Sequence, residues 1–463
     1  MTDDVASPTV WRRRSVAGFL GISSLLFALS SLAAPDDPPP APNAATSPST
    51  EHELSALRAR LDEDERALAA LRARLAAEEA RAKAPSAPAP ATQAPPLVSA
   101  ALGKGLTVRA PDGRFELNVR GRIQARDTIS LLGDELHNEI NIKTARLILA
   151  GHLLRPDLRY RLQLAFGSRD FDPNNPSPIF DAHLDYVGLR DLNVRVGQFF
   201  VPFDRARTVR EFALQLVERQ QVVRELNLDR DVGVMLWSDD LFGAGGKLGY
   251  HLFLGGGEGR NRAGGAKPGA LVVGRFVLRP FGPFDDDAEG DLSRSTKPRL
   301  ALGVAGAYNH QSDRANSTHG AILALGTFDY LHAAADLVFK WRGFSLTAEG
   351  LVRRAFPSSI SATVEGETQR EHSRSGFGYF AQAGMMVSEH VEVAGRWEQL
   401  FAAQGTDPAL EKLCKTQGNQ VAGGLNVYLN GHALKLQGDY VAAFRDPASE
   451  PRHLVRMQLD ATF

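Results

Sequence analysis

The sequence predicts an all-β fold, a 16-stranded antiparallel transmembrane β-barrel, preceded by a signal peptide and a short α-helical coiled coil. Three observations lead there. The last eleven residues, 453–463, alternate apolar and polar side chains and stop on an aromatic. Sixteen such segments recur along the chain with connections that are mostly short and long in turn. Aromatic residues fall at both ends of these segments rather than in their middles.

Strand side chains point to opposite faces with period two. The terminal segment therefore puts Val455, Met457, Leu459, Ala461 and Phe463 on one face and Arg456, Gln458, Asp460 and Thr462 on the other. Lipid outside and water inside require this division. The remaining segments begin near residues 115, 139, 158, 182, 192, 230, 247, 270, 299, 328, 344, 377, 391, 419 and 433. Short turns at Arg155-Pro156-Asp157, Arg190-Asp191, Arg342-Gly343, Ser388-Glu389-His390 and Asn430-Gly431 mark one end of the barrel. Longer loops mark the other, as an up-and-down barrel requires. Two connections depart from this rule: the turn at 281–298 is long, and the loop at 133–138 is short.

In this register the outward Phe115, Tyr250, Trp341, Phe344 and Phe463 sit at the short-turn end, and Phe166, Trp397 and Tyr440 at the long-loop end. Such girdles form where amphipathic rings settle at lipid headgroups. In the second strand Ile140, Ile142 and Ile148 share a face with Arg146, which a bulge near Thr144 would resolve. Phe463 becomes the periplasmic end of the last strand, which pairs with the first, and a terminal aromatic of this kind is read by the outer-membrane assembly machinery.

Upstream of the barrel, Arg12, Arg13 and Arg14 precede an apolar run from Val16 to Leu32 and the small residues Ala33 and Ala34. This is a secretory signal peptide over 1–33, and an N-terminal membrane anchor is the alternative. Pro/Ala-rich linkers follow at 34–50 and 84–102. Between them, 51–83 carries Leu54, Leu61, Leu68 and Leu75 every seven residues, with Leu57 and Leu71 at the complementary position. This predicts a parallel oligomeric coil in the periplasm, the alternative being a single spacer helix. The barrel domain is expected over 103–463.

The chemistry of common enzymes is not written here. Neither a Gly-x-Ser-x-Gly elbow nor a His-Glu-x-x-His helix occurs. His310 and His319 near Ser312 and Asp313 read as polar loop residues, Gly255-Gly256-Gly257-Glu258-Gly259 as a flexible outer loop, and Asp285-Asp286-Asp287 as a solvated turn. The single cysteine, Cys414, excludes a disulfide framework, and a formal charge of -1 argues against nucleic acid as a partner. No cofactor or metal is expected.

The distinctive connection runs from Phe203 to Asp229 and carries Arg205, Arg207, Arg210, Arg219 and Arg224, with Arg230 at the rim of the next strand. Asp204, Glu211, Glu218, Glu225, Asp229 and Asp231 balance them, and Phe212, Leu214, Leu216 and Val217 give the loop something to pack. A long loop with its own apolar residues is expected to fold into the barrel and narrow it. Lumen-facing cations are expected at Arg120, Arg122, Arg126, Arg159, Arg161, Arg195, Arg275, Arg279, Lys340, Arg353, Arg396, Lys435 and Arg456. The facing anions are Glu116, Asp185, Asp336, Glu349, Glu392, Glu398, Asp439 and Asp460. The positive excess gathers on the first, third and fifth strands. Candidate constriction and anion-binding residues are the six arginines from Arg205 to Arg230 together with Arg120, Arg122, Arg126, Arg159, Arg161 and Arg195.

The stretch around this loop resembles the phosphate-selective porin O and P family of outer-membrane channels. The likeness rests on Arg195-Val196-Gly197-Gln198-Phe199 leading to Pro202-Phe203, then Glu218-Arg219, then Arg230-Asp231-Val232-Gly233-Val234. Gly121-Arg122-Ile123-Gln124 and Ala145-Arg146-Leu147 fit the family's opening segments. The resemblance covers 103–463. It implies a homotrimeric channel embedded in outer-membrane lipid, an N-terminal coil, and passive diffusion of small anions such as phosphate or polyphosphate along an arginine ladder. Ten lysines in the whole chain leave few for the lysine cluster that accompanies that ladder. The competing reading is a structural barrel with a plugged lumen, tied to the cell wall by the coil.

Overall fold

The computed structural model describes residues 48–83, 97–167, 170–171, 176–262, 269–444 and 451–463. The chain divides into two units, with the boundary between Thr92 and Gln93. The expected signal peptide and most of both linkers lie outside the described residues.

In the first unit, α1 (Pro48–Lys83) is one continuous helix, beginning three residues before the expected coil. Leu57, Leu61, Leu68, Leu71 and Leu75 are all more than half exposed, so the single chain leaves the leucine stripe uncovered.

The second unit opens with a hairpin, β1 (Val98–Ala101) and β2 (Gly105–Arg109), which corrects the linker expected to reach residue 102. Alternation in Val98-Ser99-Ala100-Ala101 suffices for pairing once Gly105–Arg109 supplies a partner. Eleven barrel strands follow up to a long loop: β3 (Phe115–Leu132), β4 (Glu135–Leu153), β5 (Arg155–Ala165), β6 (Ile179–Tyr186), β7 (Asn193–Phe200), β8 (Arg230–Ser238), β9 (Leu248–Gly255), β10 (Ala270–Leu278), β11 (Arg299–Ser312), β12 (Phe328–Trp341) and β13 (Phe344–Phe356). That loop carries its own hairpin, β14 (Ser359–Val364) and β15 (Glu367–His372). The barrel resumes with β16 (Gly376–Met386), β17 (Val391–Ala402), β18 (Asn419–Asn430), β19 (Leu434–Phe444) and β20 (Arg452–Thr462).

Each barrel strand pairs antiparallel with the next, and β20 pairs with β3 from Arg452↔Leu132 to Thr462↔Arg122. The sheet is thus a closed barrel of sixteen strands, and no helix among the described residues is long and apolar enough to cross a membrane. Closure leaves no free sheet edge around the wall, which a lipid setting demands. Phe463 finishes the seam: its N–H donates to the Gly121 carbonyl at 2.9 Å, and Gly121 N–H donates back at 2.7 Å. A side chain at Gly121 would strike the Phe463 ring, its Cβ lying 2.4 Å from Cε2.

Alternation places the side chains as expected. Along β12, Tyr330, His332, Asp336 and Lys340 point inward and are buried, while Leu331 and Trp341 face out. On β20, Arg456, Gln458 and Asp460 are inward and buried, whereas Val455, Met457 and Leu459 are exposed. A register shift of β4 against β3 makes Lys143 the extra residue, since Gln124 faces Thr144 and Ala125 faces Ile142. Beyond this bulge the faces exchange: Ile140 and Ile142 are outward, Arg146 and Ile148 inward.

The aromatics occupy two rims. Phe115, Trp341, Phe344 and Phe463 are exposed at the short-turn end, and Phe166, Phe356, Phe377, Trp397 and Tyr440 at the other.

Two readings of the connections need correction. Asp285-Asp286-Asp287 is not wholly a solvated turn, because Asp286 is buried against Arg205 and Arg279 at 2.9 Å each. The long connection 279–298 folds inward and meets the underside of the Phe203–Asp229 loop, where Ala288 packs with Val209, Ala213 and Leu214. The 255–259 segment is likewise packed: Gly257 N–H donates to Asp231 at 2.6 Å, and its carbonyl accepts from Asn309 at 2.7 Å. Backbone hydrogen bonding to buried side chains ties down what composition suggested was loose.

Candidate functional site

The Gly197-Gln198-Phe199 run of β7 aims the chain into the lumen. Gly197 has φ +131, and a Cβ there would lie 2.2 Å from the Ala182 carbonyl oxygen, so the strand bends where only glycine fits. Gln198 holds the bend by donating to the Phe180 carbonyl at 3.0 Å. From Phe200 the chain leaves the wall and crosses the barrel interior as α2 (Arg205–Thr208), a short 3₁₀ turn (Glu211–Ala213) and α3 (Gln221–Leu226).

Apolar residues fix the loop to one side. Phe203, Ala206, Val222, Val223, Leu226 and Leu228 form one buried cluster with Leu271, Val273, Ala334, Leu351, Phe380 and Leu400 of the wall from β10 to β17. Wall side chains then tie down the backbone of the loop. Glu349 accepts from the N–H groups of Arg205 and Ala206 at 3.0 and 2.9 Å, Asp439 from Val217, and Glu398 from Val222. Lys435 and Gln437 donate to the Leu214 carbonyl. The loop is therefore inserted, as its apolar content predicted, and leans on β10–β20.

Open space lies on the opposite side, against β3–β8, and a further cavity of about 460 Å³ sits between the loop and β7–β10. A cavity of about 850 Å³ opens at the short-turn end, and one of about 210 Å³ at the long-loop end. Arg146, Glu211 and Arg219 line both. Arg146 bonds Glu211 at 3.0 Å and Asp170 at 3.2 Å, and Arg122 reaches Glu211 at 3.5 Å, so an ion-pair neck separates the two chambers. Desolvation pushes the Glu211 carboxyl up, but the guanidiniums of Arg146 and Arg122 outweigh it and hold it well below the usual carboxylate range.

The predicted arginines sort into three groups. Anchors come first: Arg205 is buried between Asp336 at 2.5 Å and Asp286 at 2.9 Å, and Arg219 donates to the carbonyls of Ala206 and Val209. Burial and the nearby Arg207 lower the Arg219 guanidinium to about 10. These two side chains are spent on fixing the loop and present little charge to the passage. Paired wall and rim residues come next: Arg122 with Asp460 at 2.8 Å, Arg126 with Glu218, Arg195 with Asp185 at 2.6 Å, Arg207 with Asp229 at 2.5 Å, and Arg230 with Asp181 at 2.7 Å. Open cations form the third group. Arg120 and Arg159 have no ion pair among the described residues, Arg161 lies 3.7 Å from Asp181, Arg224 lines the smaller chamber, and Arg210 meets the exposed Asp285 at 3.2 Å.

The larger cavity is strongly cationic. Lys104 and nine arginines (Arg120, Arg122, Arg146, Arg159, Arg161, Arg195, Arg210, Arg219 and Arg230) face Glu116, Asp181, Asp185, Glu211 and Asp287. Aromatic rings sit among them. Arg230 lies 3.6 Å from the centroid of Phe200, and on the side of the smaller chamber Phe180 has the guanidiniums of Arg146, Arg230 and Arg260 at 4.6, 4.3 and 4.4 Å from its centroid. Rings placed this way hold guanidinium planes in fixed orientations.

Arg146, Asp170 and Phe180 are central here yet absent from the predicted site. The bulge expected near Thr144 was the signal for Arg146, because it moves that side chain to the lumen. Asp170 and Phe180 belong to the connection between β5 and β6 and its far end, and no local pattern aims them inward.

No family model matches the sequence, and no curated protein matches it. Among solved structures, the fold is similar to the anion-selective porin from Comamonas acidovorans, with 12% identity, 75% of this chain and 99% of that chain covered, and a TM-score of 0.49. The outer membrane channel DcaP of Acinetobacter baumannii has 14% identity, 78% and 100% coverage, and a TM-score of 0.48. OmpF of Salmonella typhi has 12% identity, 76% and 98% coverage, and a TM-score of 0.48.

Proposed function

We propose that this chain is an outer-membrane porin, a water-filled channel for passive diffusion of small hydrophilic solutes with a preference for anions such as phosphate or polyphosphate. The observation that carries this reading is the larger cavity, where ten cations meet five carboxylates beneath a neck flanked by Arg122 and Arg146. Fixed positive charge in a confined aqueous passage lowers the energy of an entering anion and raises that of a cation. Guanidinium forks suit oxyanions, since each donates two parallel hydrogen bonds. The outward apolar wall and its two aromatic rims fit a lipid bilayer. The exposed leucine stripe of α1 fits a coil that joins copies of the chain in the periplasm, in keeping with a homotrimer. Reversal potentials of the purified protein in planar bilayers under a KCl gradient test the sign. Chloride preference is expected, and a cation-preferring channel would overturn the proposal.

A second reading has its own support. The Phe203–Asp229 loop and the 279–298 connection enter the lumen from opposite ends and meet, and the Arg146–Glu211 bridge spans what remains. This suits a plugged structural barrel tethered by the coil. Absence of any conductance from folded, inserted protein would favour it.

A further inference from the structure

Inorganic phosphate is polar on every side, and a site built for it would surround it with donors. Much of the wall of the larger cavity is built that way, but one stretch of it is apolar. Cross-strand register sets Arg120 on β3 opposite Ile148 on β4, and Ala150 on β4 opposite Arg161 on β5. Neighbouring strands lie ~4.8 Å apart and the two positions are offset by two residues of ~3.3 Å, so the Arg120 and Arg161 backbones stand about 12 Å from one another across β4. What lies between them is an apolar floor. Ile148 faces inward and is only 8% exposed, and Ala150 leaves open room beside it. From the opposite side, the inserted loop contributes Phe212, whose ring has the Arg122 and Arg210 guanidiniums 5.3 and 5.2 Å from its centroid. The chamber to which these residues belong, about 850 Å³ in all and open at the short-turn end, is within the range that receives whole organic ligands.

Charge in this chamber is also unevenly committed. Arg122, Arg195 and Arg230 each hold a carboxylate at 2.8 Å or less. Arg120 has no ion pair among the described residues, and its buried Nε has no hydrogen-bond partner. Arg120 is thus left open for a visitor, as are Arg159, Arg161 and Arg210 on the same lining, and it is the one paired across the strands with Ile148.

From this geometry we infer that the larger chamber selects organic anions with a flat apolar body, aromatic carboxylates of the benzoate type, over inorganic phosphate. The ring lies on the Ile148–Ala150 floor beneath Phe212, and its carboxylate meets Arg120 or Arg161. The inference rests on the porin reading for its route of entry, but the chamber's chemistry stands by itself.

The test uses the full chain in planar bilayers with chloride carrying the current, and benzoate or inorganic phosphate added as blocker. Benzoate is expected to halve the current at a concentration about tenfold below that of phosphate. Ile148→Thr keeps the β-branch but shortens the side chain and makes the floor polar, and should weaken benzoate block about fivefold to tenfold while leaving phosphate block unaltered. Arg120→Gln should weaken both. Equal block by the two anions, or an Ile148→Thr variant that blocks like the parent, overturns the inference and leaves the porin reading standing. If folded protein passes no current, the porin reading fails, and equilibrium dialysis of benzoate against the detergent-solubilised chain decides the inference. Saturable binding weakened by Ile148→Thr supports it, and no binding overturns it.

Discussion

Replacing Glu211 with Gln removes one negative charge from the narrowest part of the passage while keeping a side chain that still accepts hydrogen bonds from Arg122 and Arg146. The neighbouring contacts of the loop, at Arg205, Gln215 and Val217, are unaffected, so the fold should persist. An anion passing ~7 Å from that carboxylate feels a repulsion of about 0.6 kcal/mol in bulk water and about 2.4 kcal/mol at an effective dielectric constant of 20. Removing it should raise the anion permeability by a factor between roughly 3 and 60, the low end applying where water fills the neck, and the anion-to-cation ratio by more, because the cation loses an equal attraction. Because Arg146 and Arg122 hold the carboxyl well below the usual carboxylate range, the parent is ionised at neutral and mildly acidic pH, and the difference should be flat from pH 5 to 8. Reversal potentials in a tenfold KCl gradient read the change directly, and raising total salt should shrink it, since the Debye length falls to ~3 Å at 1 M. An unchanged reversal potential, or a shift toward cations, would refute the assignment of the neck.

Other perturbations follow the same logic. Arg205→Ala removes the buried guanidinium shared by Asp336 and Asp286, which keep Arg275 and Arg279 as partners, so the cost should fall at or below the ~3–5 kcal/mol of a fully orphaned buried charge; the loop should loosen, seen as higher and noisier single-channel current and faster proteolysis within 203–229. Deleting Phe463 removes both seam hydrogen bonds to Gly121 and should reduce the yield of heat-modifiable, inserted barrel on gels. Cys414 lies in the loop helix α4 (Pro408–Gln417), where burial, with a contribution from Glu225, pushes its thiol up to about 12. The folded pKa being raised, the thiol stays protonated through pH 9, so maleimide labelling of native protein should stay slow at pH 8.5, where an ordinary cysteine is half ionised.

Much of the wall was legible because its code is local. Period-two alternation needs only a few residues of context, which is why the inward Arg456 and Asp460 and the bulge beside Thr144 could be read directly. The interior was less so. That the Phe203–Asp229 loop enters the barrel followed from its apolar residues, but which arginines anchor it and which stay open depends on partners such as Asp336, Asp286 and Asp460, up to 338 positions away in sequence. For the same reason the acidic turn at 285–287 looked solvated until Arg205 and Arg279 came to meet it. Composition reports the charges a segment carries and is silent on which distant strand will face them.

The seam between β3 and β20 sets an order of events for assembly. One flank of β3 must wait for residues 452–463, at the far end of the barrel sequence, before its ladder is complete. The hairpin β1–β2 relieves part of that wait, because β2 pairs with Glu116–Val119 of β3, just below where Gly121 meets Phe463. The early hairpin thus occupies the lower portion of the flank that the final strand cannot reach. Contacts between the two ends of a domain are the slowest to form, since their loop-closure entropy must be met before any pairing rewards it. Barrel closure here is a late, zipper-like event with a prebuilt starting point, and lengthening or deleting residues 98–109 should change its rate more than the shape of the finished wall.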